Sequence, residues 1–178
     1  MCNVEIKAKI HNFDDFLAKA IAISDKNPPP KVINMIDTFY KVNSGRLKLR
    51  EYPGHEEARV SELVHYHRED STGAKLSRYS KVPVPDPAGL GAILADSLGV
   101  IGQVKKVRHL LISGQTRIHV DRVHNLGDFM ELEVMLTDSD SVEAGQMIAQ
   151  QLMKQLGVAE ADLLAGAYMD MLLELNSG

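Results

Sequence analysis

Charged residues recur at every second position in one short segment of this sequence after another. Glu5 and Lys7 alternate with Val4 and Ile6, Arg46, Lys48 and Arg50 with Leu47 and Leu49, Arg117, His119 and Asp121 with Ile118 and Val120, and Glu131 and Glu133 with Leu132 and Val134. Alternate side chains of a strand share a face, so each segment carries one apolar face and one charged face. A half-solvated antiparallel sheet produces the same alternation, with its charges in water. Here, however, the signs are segregated. Arg46, Lys48 and Arg50 crowd one face, Lys106 and Arg108 add a basic pair, and Glu131 and Glu133 set two carboxylates side by side. Like charges at such spacing repel, and an ordinary solvated surface intersperses them. Facing strands that collect basic groups suit a polyanion with several phosphates, whose oxygens guanidinium groups bind in pairs. The carboxylates suit Mg²⁺ or Mn²⁺, which bridges one or two carboxylates and substrate phosphates.

The elements that must position these groups follow from periodicity and turn chemistry. Residues 3–10 read as a strand, and Asn12 caps a helix over 13–23. Strands are expected over 32–42 and 46–51, joined at Asn43-Ser44-Gly45, where glycine supplies the positive φ of a tight turn. A loop marked by Pro53-Gly54 follows, then a hairpin of 60–68 with 74–82. Asp86 caps a helix with Pro87 at its first position. Residues 99–108 are extended, 110–112 and 116–123 flank a turn at 113–115, and a further turn at 125–127 leads to 129–136. Helical spacing covers 141–156 with Gly157 as the stop, and 161–175 reads as one or two terminal helices. Tyr168, Met169 and Met171 in that last stretch either cover the sheet or form a contact between subunits. About eight strands can close on themselves, and a barrel of that size holds one small ligand.

Composition narrows the alternatives. At 178 residues, with 44% hydrophobic and 25% charged residues, the chain has an ordinary globular composition. Cys2 is the single cysteine, so an internal disulfide and a thiolate zinc cluster are both excluded. The net charge of −4 argues against a general nucleic-acid binder. His65 and His67 share a strand face, a pattern that fits zinc but more commonly reflects packing or solvation. No apolar run is long enough to span a bilayer, and the opening segment is charged and alternating, so the expected location is cytoplasmic, with no membrane or nucleic-acid partner.

The same residues resemble the CYTH superfamily of triphosphate tunnel metalloenzymes, which includes class IV adenylyl cyclases, thiamine triphosphatases and inorganic triphosphatases. Asn3-Val4-Glu5-Ile6-Lys7 is similar to that family's Glu-x-Glu-x-Lys opening, with its second Glu and its Lys present. Asp37-Thr38-Phe39-Tyr40 and Gly45-Arg46-Leu47-Lys48-Leu49-Arg50-Glu51 resemble the next strand pair. Tyr66-x-Arg68, Lys75-x-Ser77-x-Tyr79, Lys106-x-Arg108, Arg117-x-His119-x-Asp121-x-Val123 and Leu126-Gly127-x-Phe129-x-Glu131-x-Glu133 follow in order. Two positions depart from the pattern: Asn3 stands where the first carboxylate belongs, and Met35 where Gln is frequent.

The resemblance implies one CYTH-like domain over residues 1–178, of α+β class, built as a closed eight-stranded antiparallel barrel with peripheral helices. It implies a metal side of Glu5, Asp121, Glu131 and Glu133, with Mg²⁺ or Mn²⁺ as cofactor. The implied phosphate side is Lys7, Arg46, Lys48, Arg50, Arg68, Lys75, Lys106, Arg108 and Arg117, and Glu5, Lys7 and Glu133 are the implied catalytic groups. The expected activity is hydrolysis of inorganic triphosphate or of an organic triphosphate such as thiamine triphosphate, by a monomer or homodimer. Class IV adenylyl cyclase activity on ATP is the alternative, and noncatalytic polyphosphate or nucleotide binding is a third reading, kept open by the neutral Asn3.

Overall fold

The computed structural model describes residues 1–54 and 59–178. Its strands are β1 (Cys2–Lys9), β2 (Lys31–Tyr40), β3 (Arg46–Glu51), β4 (Ser61–Arg68), β5 (Lys75–Val84), β6 (Val100–Ser113), β7 (Thr116–Val123) and β8 (Gly127–Leu136). Its helices are α1 (Phe13–Ile23), α2 (Pro87–Leu98), α3 (Val142–Leu156) and α4 (Tyr168–Asn176). Every strand pairing is antiparallel, and the sheet closes in the order β1-β5-β4-β3-β2-β6-β7-β8, with β8 returning to β1 from Cys2↔Leu136 to Lys9↔Phe129. The expected α+β class and closed eight-stranded barrel are therefore what forms.

Closure turns the alternation inside out relative to most small barrels. The outward residues Val4, Ile6, Val120, Met130, Leu132 and Val134 are buried beneath α1 and α3, whose Phe13, Phe16, Ala20, Ala149, Leu152 and Leu156 complete the main hydrophobic core. Fully burying such a side chain contributes roughly 1.5–3 kcal/mol, so stability resides mainly on the outside of the barrel and leaves the bore free for charge. Gly145 lets α3 approach closely: a Cβ there would stand 2.9 Å from Val4 Cγ2 and 2.8 Å from Leu136 Cδ2. A second cluster, Tyr40, Leu49 and Val84 with Leu90 and Leu94, holds α2 against β2 and β3. A third, including Phe39, Val104, Phe129, Met169 and Leu172, seats α4 at one end of the barrel.

The helix signals act as expected. Asn12 and Asp86 accept from the backbone N–H three residues on, and Gly157 ends α3 in the left-handed conformation; Ser141, expected only as the first residue of that helical stretch, caps α3 in the same way. Gly45 takes φ +69° in the β2–β3 turn, where a Cβ would lie 2.7 Å from the Tyr66 carbonyl. Two differences stand out, and one expectation is left outside the described residues. The segments expected at 99–108 and 110–112 are one fourteen-residue strand, β6, long enough to pair with both β2 and β7. The stretch 161–175 is only partly helical, with a single 3-10 turn at Glu160–Asp162 and α4 beginning at Tyr168. The loop expected after Pro53-Gly54 runs into residues 55–58, which lie outside the described residues.

Candidate functional site

Strand register decides which inward side chains meet. Across β1, β8 and β7, Glu5 stands opposite Glu133 and Glu133 opposite Arg117, while Lys7 stands opposite Glu131 and Glu131 opposite His119. One row of the bore thus sets two carboxylates side by side with a base, and the adjacent row alternates base, acid and base. Glu131 lies 3.3 Å from Lys7 Nζ, 2.9 Å from Arg108 Nη2 and 3.3 Å from His119 Nδ1. His119 Nε2 is 3.8 Å from Glu133, so the ring sits between the two carboxylates. His119, Glu131 and Glu133 each offer a ligand atom, and all three atoms fall within 4.8 Å of one another. Burial alone would raise both glutamates, yet Lys7 and Arg108 hold Glu131 well below the usual carboxylate range, and His119 and Arg108 hold Glu133 below it. Both are therefore anionic and available to a cation. Beside them the buried Asn3 Oδ1 has no hydrogen-bond partner among the described residues. This oxygen-rich corner fits a divalent ion.

On the opposite wall a second carboxylate gathers the cations. Asp37 accepts from Arg50 Nε at 2.6 Å and Nη2 at 2.7 Å, and from Lys48 Nζ at 3.2 Å and Lys106 Nζ at 3.4 Å. Burial opposes its charge, but Arg50, Lys48 and Lys106 together keep it well below the ordinary aspartate value. The lysines respond in the other direction. Burial and the neighbouring Arg50 bring Lys48 down to about 7, and burial with Arg68 and Lys7 brings Lys75 down to about 8. Between the two walls, Arg68 donates from Nη1 to Glu5 at 2.8 Å, while its buried Nε and Nη2 find no acceptor among the described residues. A buried guanidinium with idle donors is a binding group for an anion.

One end of the bore is closed by the chain leading into α4. Lys7 donates to the Gly166 carbonyl at 3.1 Å, and Lys75 to those of Leu164 and Ala165 at 3.1 and 3.3 Å. Tyr168 enters the barrel, donates to Asp121 at 2.9 Å, and lies beneath Lys7 and Lys106 at 4.1 and 5.2 Å from its ring centroid. Asp170 reaches back to its own helix start at Ala167 N and also accepts from Arg46 at 2.8 Å. Tyr168 and Met169 are buried here, so this segment covers the barrel.

What remains is a cavity of about 340 Å³, walled by nine Lys and Arg side chains against five Asp and Glu. That excess of positive charge sits inside a chain of net charge −4. Most of the residues expected from the sequence reach this wall: Glu5, Lys7, Lys48, Arg50, Arg68, Lys106, Arg108, Arg117, Glu131 and Glu133. Three do not. Asp121 is fully buried in a bidentate pair with Arg108 at 2.8 and 2.6 Å, Arg46 faces Asp70 and Asp170 beyond the closed end, and Lys75 is turned to the backbone carbonyls. His65 and His67 point outward, ring against ring, with His65 Nε2 at 2.9 Å from the Ser44 carbonyl oxygen. Among the wall residues that sequence reasoning left without a part in the site are Asp37, His119 and Tyr168. Asp37 was visible as the one charge on an otherwise apolar face with Met35 and Phe39, and His119 as the middle member of its charged alternation.

An eight-stranded antiparallel barrel with a charged, one-ended bore defines a tunnel protein, and the sequence specifies which kind. The CYTH domain family matches residues 1–168, and the chain belongs to that family. None of the curated proteins matches the sequence closely enough to count as a relative. Among solved structures, a Pyrococcus horikoshii protein superposes with TM-score 0.79 at 20% identity, over 94% of this chain and 98% of that one. A candidate adenylate cyclase from Vibrio parahaemolyticus follows at 0.75 and 21%, over 96% and 97%. A Hippeastrum protein, a candidate adenylyl cyclase described as revealing a dominant triphosphatase activity, gives 0.64 and 14%, over 98% and 96%. At these identities the likeness concerns the fold.

Proposed function

We propose that the protein is a divalent-metal-dependent triphosphatase that hydrolyses inorganic triphosphate, or an organic triphosphate such as thiamine triphosphate, inside this cavity. The observation that carries the reading is one cavity in which a carboxylate corner faces a wall of cations, including Arg68 with two idle buried donors. Glu131 and Glu133, with Glu5 across the strand pair, would hold Mg²⁺ or Mn²⁺, and a bound ion neutralises phosphate oxygens and orients a water for attack. Arg68 and Lys7 hold the phosphate nearest the closed end. Lys48, Arg50 and Lys106 hold the remaining oxygens and balance charge on the departing pyrophosphate. Glu5 fixes the Arg68 guanidinium, and Arg108, locked by Asp121, fixes Glu131.

Hydrolysis needs these contacts and a water, whereas cyclisation of ATP also needs a held ribose and base. Aromatic side chains deep in the bore are engaged elsewhere: Phe39 and Tyr66 lie against Lys48, and Tyr168 against Phe129. A volume of about 340 Å³ is at the low end of the ~300–1,000 Å³ of ligand sites, enough for the phosphates with any organic part toward the mouth. The test is phosphate release from inorganic triphosphate, thiamine triphosphate and ATP with Mg²⁺ or Mn²⁺, alongside mass spectrometry for cyclic AMP. Phosphate release without cyclic AMP is expected. Cyclic AMP as the main product from ATP would replace the reading with cyclase activity, and tight binding without turnover in either metal would replace it with a binding role.

A further inference from the structure

The carboxylate corner contains a group that an all-oxygen magnesium site does not need. His119 is 3% exposed, lies on the cavity wall, and places its two ring nitrogens toward different glutamates, Nδ1 at 3.3 Å from Glu131 and Nε2 at 3.8 Å from Glu133. It is the single histidine on that wall among the described residues. Donors about 2.1 Å from a common ion stand roughly 3–4 Å apart, so the three atoms already within 4.8 Å need only a small closure. A second observation points to the same spot. Asn3, 3% exposed, carries a carbonyl oxygen with no partner among the described residues; it pairs with Met135, two residues from Glu133 on the same inward face, and lines the same cavity. An unpaired buried carbonyl one register step from the anionic Glu133, on the wall of the same cavity, is a donor open to a cation.

We propose that His119 is itself a metal ligand, so that Glu131, Glu133 and His119, supported by the Asn3 carbonyl, form a mixed nitrogen and oxygen site that selects Mn²⁺ over Mg²⁺. The selectivity follows from donor chemistry. Mg²⁺ is hard, binds oxygen and gives up water reluctantly; Mn²⁺ is also chiefly an oxygen binder and the weakest of the first-row divalent ions toward nitrogen, but as a transition ion it takes one imidazole in a carboxylate site more readily than Mg²⁺ does. Asn3 offers a carbonyl oxygen without charge, so the hold on the ion falls to the two carboxylates and the nitrogen. This rests on the triphosphatase reading for its purpose, but its test requires neither substrate nor turnover.

The experiment is titration of the intact protein with Mn²⁺ alone and Mg²⁺ alone by calorimetry, with pulsed electron paramagnetic resonance of the bound Mn²⁺. Protein labelled with ¹⁵N at histidine should show ¹⁵N coupling to Mn²⁺. His119→Gln, which offers an oxygen in place of the nitrogen, should lose that coupling and reduce the preference for Mn²⁺ over Mg²⁺ about tenfold or more. A His65→Gln/His67→Gln double variant should keep both, and it gives an answer even if His119→Gln folds poorly. No nitrogen coupling in the unsubstituted protein, coupling that disappears in the double variant, or an unchanged metal preference in folded His119→Gln would each overturn the proposal. The two readings separate cleanly: nitrogen-coupled Mn²⁺ without triphosphate hydrolysis sinks the activity and keeps the ligand, and hydrolysis without nitrogen coupling does the reverse.

Discussion

Asp37 is the most exacting place to perturb the site, because one carboxylate neutralises three cations that the empty cavity would otherwise leave facing each other. It is 1% exposed and accepts from Arg50, Lys48 and Lys106. Asp37→Asn keeps the shape and removes the charge. Breaking a buried ion pair by removing one partner costs ~3–5 kcal/mol. For a chain of this length, 1 kcal/mol shifts Tm by ~2–4 °C, so the empty variant should melt roughly 6–20 °C lower at pH 6. The loss should shrink at pH 8.5. Lys48 already loses its proton near pH 7, and Asp37 is among the charges that raise it, so without Asp37 the lysine sheds its proton sooner and fewer bare cations remain. Triphosphate should have the opposite effect. A phosphate competes with Asp37 for the same donors, each charged hydrogen bond being worth ~1.5–3 kcal/mol, so affinity in the presence of a chelator should rise roughly tenfold or more in the variant. Differential scanning fluorimetry at the two pH values, with and without inorganic triphosphate, reads all of this. A variant melting within about 2 °C of the parent at pH 6, or one stabilised no more than the parent by triphosphate, would refute the counter-ion role.

Three further outcomes are expected. Arg68→Ala removes the guanidinium with two idle donors and should weaken triphosphate binding by ~1.5–3 kcal/mol, about 10- to 150-fold in KM, and should also lower Tm because Glu5 loses its ion-pair partner; an unaltered KM would remove Arg68 from the phosphate site. Glu133→Gln should cut metal-dependent turnover by about 100-fold while calorimetry shows weaker Mn²⁺ or Mg²⁺ binding and circular dichroism an intact barrel; retained turnover would count against Glu133 as a ligand. The phosphate-bound form requires protonated Lys48, whose value in the empty protein is about 7, so KM should climb as pH rises from 7 to 9, and Lys48→Arg should make that slope shallower. A slope identical in parent and variant would show that another group sets it.

The barrel was legible because its strands obey period two almost without interruption, and because Gly45 and the Asn12 and Asp86 caps mark where elements begin and turn. The division of β6 at residue 109 arose because His109 and the apolar run 110–112 break the charge alternation, although Leu110 and Leu111 continue the strand on opposite faces. The site was legible as a set of types and less so as a set of contacts. Period two puts Arg46, Lys48 and Arg50 on one face but does not say that Arg46, at the strand's end, is claimed by Asp170 from α4. Nor does it say that Asp121 is taken by Arg108 and Tyr168, since these contacts cross 13 and 47 residues of chain. Local pattern carries the face of a side chain, and its partner is set by register and by whatever closes the barrel's end.

That closure explains how a bore this basic stays folded when empty. Burial, and after it the neighbouring Arg68, lowers both Lys7 and Lys75 at the bore's most crowded end; Lys7 shares Glu131 with Arg108, and Lys75 has no carboxylate partner among the described residues. Instead the segment before α4 presents three consecutive backbone carbonyls to them, and Tyr168 places its ring under Lys7. Carbonyl dipoles and an aromatic face orient these lysines without supplying any further counter-charge. A carboxylate at the same place would have neutralised them, as Asp37 partly does on the other wall. The two walls therefore differ in what the protein's own groups leave unpaired: Lys48, Arg50 and Lys106 must all be drawn away from Asp37, whereas Arg68, paired with Glu5 through Nη1, keeps Nε and Nη2 for an incoming phosphate.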